Sequence, residues 1–208
     1  MNMGQHGIWG KGNGTFPMNM FDTSVKVPFL ISQPGSIPAG IVNRDLLSHY
    51  DLFPTLLDVL SLPNPETDRL PGRSFAPLLL GETMPERSPL VVFDEYGPVR
   101  MIRTREWKYV HRYPFGPNEL YNLLNDPGED HNLLENGADI EGKINQQTAE
   151  LKAQLDDWFT RYADPRVDGV REAVYGKGQL ELAGPDGQGR LAYSTDWYYI
   201  DADGNRRE

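Results

Sequence analysis

The chain has 208 residues, with 30 Asp and Glu against 20 Lys and Arg, a formal net charge of −10. That balance argues against a nucleic-acid binder, which needs a basic footprint for the phosphate backbone, and reads as a solubilising surface. There is no cysteine, so disulfides, thiolate metal sites and cysteine nucleophiles are excluded.

Hydrophobic residues at 38% and aromatics at 11% are ordinary for a globular chain long enough for one sizeable core or two small ones. The 21 Gly and 17 Pro are spread too widely for low complexity and imply many turns. No apolar run reaches the roughly 18 residues of a membrane span. The N-terminus, Met1-Asn2-Met3-Gly4-Gln5-His6, has neither the basic nor the apolar region of a signal peptide.

In chain order, residues 1–25 are rich in Gly, Asn, Met and Thr without periodicity and read as an irregular loop with a short turn. Residues 27–32 (VPFLIS) are a short apolar run closed by Pro34-Gly35, which predicts a buried strand, with Pro28 favouring its start or a sheet edge. Asp51 is placed to cap a helix from Leu52, with Pro54 tolerated in the first turn. Phe53, Leu56, Leu57 and Leu60 then share one face, and the helix ends near Ser61. Ser74 caps a second short helix over 75–80, stopped by Gly81.

After Pro85 the pattern changes. Residues 90–96, 100–104, 107–113 and 119–123 are short runs rich in Val, Tyr, Ile and Trp between turn residues, the pattern of an antiparallel meander. Asp126-Pro127-Gly128 marks a turn. Ile140, Ile144, Leu151, Leu155, Trp158 and Tyr162 keep helical spacing and lay one apolar stripe toward the meander. From Asp164 the chain is turn-rich, with a hairpin expected around Asp186-Gly187 and a fraying end over 201–208. There is no internal repeat.

These elements predict an α/β chain in three parts: an incomplete α/β unit over 1–84, a small α+β unit of sheet against helix over 85–165, and a turn-rich extension over 166–208. One strand and two short helices cannot close a core, so the first part calls for further polypeptide.

Few residues suggest chemistry. Lys11 stands among Gly10, Gly12 and Gly14, where glycines let a backbone approach an anion and a lysine supplies a point charge. The phosphate-loop pattern fails, with Gln5 at the position of its first glycine and Gly12 where Ser or Thr should follow the lysine, so an ordinary loop lysine stays open. His6 and Lys11 together could bind an oxyanion and pass a proton to a leaving group. Asp22, Thr23 and Ser24 are nucleophile candidates by proximity alone, and they read far better as a turn. His49, His111 and His131 show no metal-ligand spacing and read as structural or surface residues. Asp126, Glu129 and Asp130 lack the regular spacing of a calcium loop and read as a solvated turn. Trp107, Tyr109, Tyr113 and Tyr121 read as cross-strand packing, and Trp197-Tyr198-Tyr199 as packing or a sugar-stacking patch.

Taken in order, the segments resemble a known family. Gly4-Gln5-His6-Gly7-Ile8-Trp9-Gly10-Lys11 is similar to the active-site loop of the sulfatases of the alkaline-phosphatase-like superfamily. Residues 21–31 resemble the segment that returns into the family's central sheet. Asp51-Leu52-Phe53-Pro54-Thr55-Leu56 resembles its Asp-Leu-x-Pro-Thr-Leu helix, and residues 70–79 resemble the segment after it. Arg103-Thr104 with Trp107-Lys108-Tyr109 is similar to the family's Arg-Thr and Lys-Tyr strands. Glu119-Leu120-Tyr121-Asn122-Leu123 with Asp126-Pro127-Gly128-Glu129 and Asn132-Leu133 is similar to its late signature.

The resemblance implies the C-terminal part of an alkaline-phosphatase-like α/β sandwich plus a small C-terminal antiparallel sheet packed on a helix. It implies hydrolysis of a sulfate ester by a parent enzyme that uses formylglycine and calcium. Lys11 would contact the sulfate and help the leaving oxygen depart, and His6 would contact the substrate. The chain has no cysteine and no Ser-x-Pro-x-Arg. The nucleophile and calcium ligands are therefore expected outside it, in a missing N-terminal part that also completes the core, and no metal ligand is assigned within it. The isolated chain is expected to be inactive and poorly soluble, or to need a partner. The implied substrate is a small-molecule or glycan sulfate ester. A phosphate or phosphonate ester hydrolase of the same superfamily, and a non-catalytic remnant or binding module, stay open, as do a periplasmic, extracellular or cytoplasmic location and the oligomeric state.

Overall fold

The computed structural model describes residues 2–10, 19–65, 69–85, 89–94, 99–113, 117–135, 142–163, 180–181 and 190–191. Its first element is a small hairpin, with β1 (Asn2–Met3) antiparallel to β2 (Trp9–Gly10). A one-turn helix α1 (Asp22–Val25) follows. The helices α2 (Leu52–Val59) and α3 (Ala76–Leu79) come next. Then β3 (Leu90–Phe93), β4 (Val99–Arg103), β5 (Trp107–Arg112) and β6 (Glu119–Asn122) pair as an antiparallel meander in sequence order. The long helix α4 (Lys143–Tyr162) completes that layer. Near the C-terminus β7 (Leu180–Glu181) pairs with β8 (Arg190–Leu191), while the turn predicted at Asp186-Gly187 lies outside the described residues. Among the described residues no helix is long and apolar enough to cross a membrane.

The meander and its helix follow the predicted pattern, and the α/β class holds. One face of the sheet carries Val91, Ile102, Tyr109 and Leu120, packed on Leu151, Leu155 and Phe159 of α4. The side-chain period of two sends the intervening residues to the other face. That face is also buried, which the amphipathic stripe of α4 alone does not foretell. Met20 packs against Val99, Met101 and Val110, with Val25 and Val92 beside them. Ile8 and Phe21 pack against Tyr121 and Leu123. The segment that precedes α1 is thus the second cover of the sheet.

Between hairpin and sheet the outcome differs from the sequence reading in two places. Residues 27–32 form no strand. Val27, Phe29, Leu30 and Ile31 are exposed, Leu30 at 93%, and among the described residues no strand pairs with them. The predicted apolar face of α2 is exposed as well. Phe53, Leu56 and Leu60 face outward while Pro54 and Thr55 are buried.

Asp51 stands at the N-cap of α2, as expected, but its carboxylate bonds the turn before the helix and not the helix itself. Ser48 begins a 3-10 turn over His49–Asp51, and its hydroxyl and the Asp51 carboxylate form a reciprocal capping box. Asp51 then accepts the backbone N–H of Arg73 at 2.9 Å. Thr55 links the same pieces, donating to the Asp51 carbonyl at 2.6 Å and accepting from the Phe75 N–H at 2.9 Å. Gly72 passes so close to this turn that an added Cβ would lie 1.8 Å from the Tyr50 carbonyl oxygen. The second helix begins at Ala76 with Phe75 at its N-cap, one residue later than predicted, although the Ser74 hydroxyl accepts from the Ala76 N–H, and it ends before Gly81, whose φ is 81°.

Candidate functional site

His6 sits at the apex of the β1–β2 hairpin. The Gly4 N–H donates to the Ile8 carbonyl and the Ile8 N–H to the Gln5 carbonyl, both at 3.0 Å. Closing this turn puts Gly4 at φ 101° and His6 at φ 54°. Glycine takes that conformation freely, whereas at a histidine it is uncommon and strained. The imidazole lies flat on the Phe21 ring, with centroids 3.7 Å apart and planes 3° from parallel. Burial lowers its pKa below the usual histidine value, only partly opposed by Asp130, Glu119 and Asp126, and Lys108 lowers it further. The ring is therefore neutral at pH 7 and presents one N–H donor and one acceptor nitrogen.

Lys11, the other predicted site residue, lies outside the described residues, and so do Trp197, Tyr198 and Tyr199. The other histidines are not brought to His6. The His49 residue is exposed and His131 is 84% exposed. His111 lies on the α4 face of the sheet, 2.7 Å from the Tyr109 hydroxyl and stacked edge-on against Tyr113. Burial, with Lys152 close by, pulls its pKa down to about 4.

The sequence did not reveal the charge cluster beneath the hairpin. Lys108 points from β5 into the face covered by Met20 and Phe21, and its side chain is wholly buried. Its ammonium donates to the Met20 carbonyl at 3.0 Å and to Asp22 Oδ1 at 2.6 Å, and pairs with Glu129. Arg103 grips the same Asp22 carboxylate with two bonds of 3.2 and 3.0 Å. Glu129 Oε2 in turn accepts the Asp22 N–H at 2.6 Å.

Two positive and two negative side chains thus close on each other, which is the condition for burying charge at tolerable cost. Burial alone would raise the Asp22 carboxyl, but Lys108 and Arg103 outweigh it and hold the pKa below the usual value. Burial raises that of Glu129, against the pull of Lys108. Asp22 is therefore an ion-pair partner in this arrangement, not a nucleophile. Nor is the acidic turn wholly solvated: Asp126 caps it by accepting from the N–H groups of Asp130 and His131, but Glu129 turns inward at 3% exposure. The only signal in the sequence was a charged residue alternating with apolar ones in Trp107-Lys108-Tyr109-Val110.

Comparison with known proteins covers both the hairpin and the sheet. The family model described as N-sulphoglucosamine sulphohydrolase, C-terminal, matches residues 4–158. The chain belongs to that sulfatase family. It is 34% identical over 156 residues to a delta 4,5-hexuronate-2-O-sulfatase of Bacteroides thetaiotaomicron, covering 71% of this chain and 31% of that protein. It is 33% identical over 152 residues to a choline-sulfatase of Rhizobium meliloti, covering 70% and 27%. With arylsulfatase A of Homo sapiens it shares 32% identity over 182 residues, covering 74% and 34%. The chain therefore spans about a third or less of the length of these relatives.

Among the described residues no group of three or more His, Asp or Glu side chains could hold a metal ion. The sequence offers neither a cysteine nor a Ser-x-Pro-x-Arg as a formylglycine precursor. The described sulfatase-family residues thus do not fit calcium, and the sequence does not fit formylglycine. What they provide is a glycine-framed turn carrying a neutral imidazole, fixed to a buried charge cluster.

Proposed function

We propose that the chain is the C-terminal portion of a sulfatase whose parent enzyme hydrolyses a sulfate ester. The match over residues 4–158 carries this reading, because one family model takes in both the turn that carries His6 and the four-stranded sheet. In this reading Lys11 places its ammonium against the sulfate oxygens and supplies a proton to the departing oxygen. His6, neutral at pH 7, contacts the substrate through its ring N–H. Both tasks stabilise charge at a position fixed before the substrate arrives.

Formylglycine and calcium in the parent enzyme would be held by residues outside this chain. The missing N-terminal part would complete an alkaline-phosphatase-like sheet beside residues 27–32, whose apolar side chains now face solvent. The three predicted parts, over 1–84, 85–165 and 166–208, belong to the same proposal. The relatives named for a hexuronate sulfate, a choline sulfate and an aryl sulfate point to no single substrate, so the proposal extends only to the sulfate-ester class.

The test reads the coding DNA upstream of Met1 in the same frame and assays the encoded protein with 4-nitrophenyl sulfate. We expect Asp-Asn-Gly just ahead of Met1 and Cys- or Ser-x-Pro-x-Arg farther upstream. The longer protein should turn over the ester while the 208 residues alone do not. Lys11→Ala in the longer protein should lower kcat/KM by roughly 100-fold or more. Metal-dependent turnover by the 208 residues alone, or an in-frame stop with neither motif, would overturn the reading.

A further inference from the structure

The charge cluster does more than close the covered face of the sheet. Met20 and Phe21 are held there by apolar contact, which is not directional and alone does not fix the register of a short segment. The ion pairs are directional. Lys108 has three N–H donors and three partners: the Met20 carbonyl and Asp22 from the covering segment, and Glu129 from the turn after β6. Glu129, itself at φ 59°, returns a bond to the Asp22 N–H. Asp22 directly follows Phe21, whose ring carries the imidazole of His6, and His6 holds a strained backbone that must be supported from outside the turn. Stability alone does not call for such a cluster, since well-packed apolar residues often replace buried ion pairs without loss.

We propose that Lys108, with Arg103 and Glu129, is a positioning residue that anchors Asp22 so that the Phe21 ring sets the place and orientation of His6 at the hairpin apex. The proposal rests on the substrate-contact role given to His6 above, which gives the positioning its purpose. The sheet then serves as the platform on which the loop is aimed, with Lys108 as the point of attachment.

The test uses the 208-residue chain with carbon-13-labelled imidazoles, held in solution by a mild non-ionic detergent. Only four histidines need to be resolved. The ring signals of His6 should stand upfield of those of exposed His131, because the Phe21 face shields them, and Phe21→Leu should abolish that displacement and so identify them. Lys108→Met should also abolish it while the signals of His111, on the opposite face of the sheet, stay in place. Should Lys108→Met disturb His111 as well, Arg103→Gln decides the matter, because it keeps the buried lysine while removing the two bonds to Asp22 and one to the adjacent Thr104 carbonyl, and the His6 displacement should then shrink. Unmoved His6 signals in the deciding variant, with the His111 signals intact, would overturn the proposal. The readout is ring position and not turnover, so it stands or falls separately from the sulfatase assay.

Discussion

His111 titrates far from its ordinary value. Its ring is wedged between Tyr109 and Tyr113, with Lys152 and Arg100 lowering its proton affinity after burial has done most of that work. Folded, it titrates near 4, whereas unfolded it titrates near its ordinary value of 6.5. Between those values the unfolded chain binds more protons, so stability falls as pH drops from about 6.5 to about 4. Allowing for its partial exposure, the loss is about 1–2 kcal/mol. Thermal unfolding at pH 7.5 and 4.5 checks this, and His111→Asn should remove most of the difference. The carboxylates Asp22 and Glu129 shift in opposite senses, so their contributions to the acid slope oppose each other. Neither His111's place under α4 nor the burial of Lys108 was legible in the sequence, because both depend on which segment covers which face of the sheet.

At the scale of elements, the turn before α2 and the segment before α3 behave as one unit. Asp51 and Thr55 accept backbone donors from Arg73 and Phe75, and Gly72 lets the two backbones meet. The Gly72→Ala substitution would push its methyl into the Tyr50 carbonyl and should destabilise the chain by about 1–3 kcal/mol through overpacking. Urea unfolding should show a lower midpoint with no change in slope. A midpoint equal to wild type would mean that the Tyr50 turn yields without cost. The sequence reading placed both helices, and the start of α3 to within one residue, because propensity and capping are local. It placed Asp51 at the N-cap of α2 but not the bond that its carboxylate makes, since Ser48 and Asp51 are joined in a turn that periodicity alone does not mark.

For the whole molecule, the described residues divide into a well-covered sheet and a poorly covered flank. The sheet is buried on both faces, by α4 and by the segment around Met20 and Phe21. On the flank, Leu30 is 93% exposed, Val42 80% and Leu60 63%, with Phe29, Phe53 and Leu56 also exposed. A soluble monomer rarely leaves so many large apolar groups outside, so the chain by itself should self-associate. Sedimentation should show mass rising with concentration, and the pair Leu30→Asp and Leu60→Asp should suppress that rise while leaving the unfolding free energy within about 0.5 kcal/mol of wild type. A wild-type chain that stays monomeric at high concentration would mean that this flank needs no cover.

The sequence by itself determined the class of the fold, the meander of four strands, the long helix beside it and the sulfatase kinship. All of these rest on local periodicity, turn chemistry and the order of motifs along the chain. Tertiary structure alone decided that residues 27–32 form no strand and stay exposed, because a strand exists only where another strand supplies the hydrogen-bond partners that its backbone requires. It also decided that Asp22, Arg103, Lys108 and Glu129, scattered over more than a hundred positions, close into one buried cluster. Burial turns scattered surface-type charges into a fixed anchor because, away from water, each charge must find its opposite.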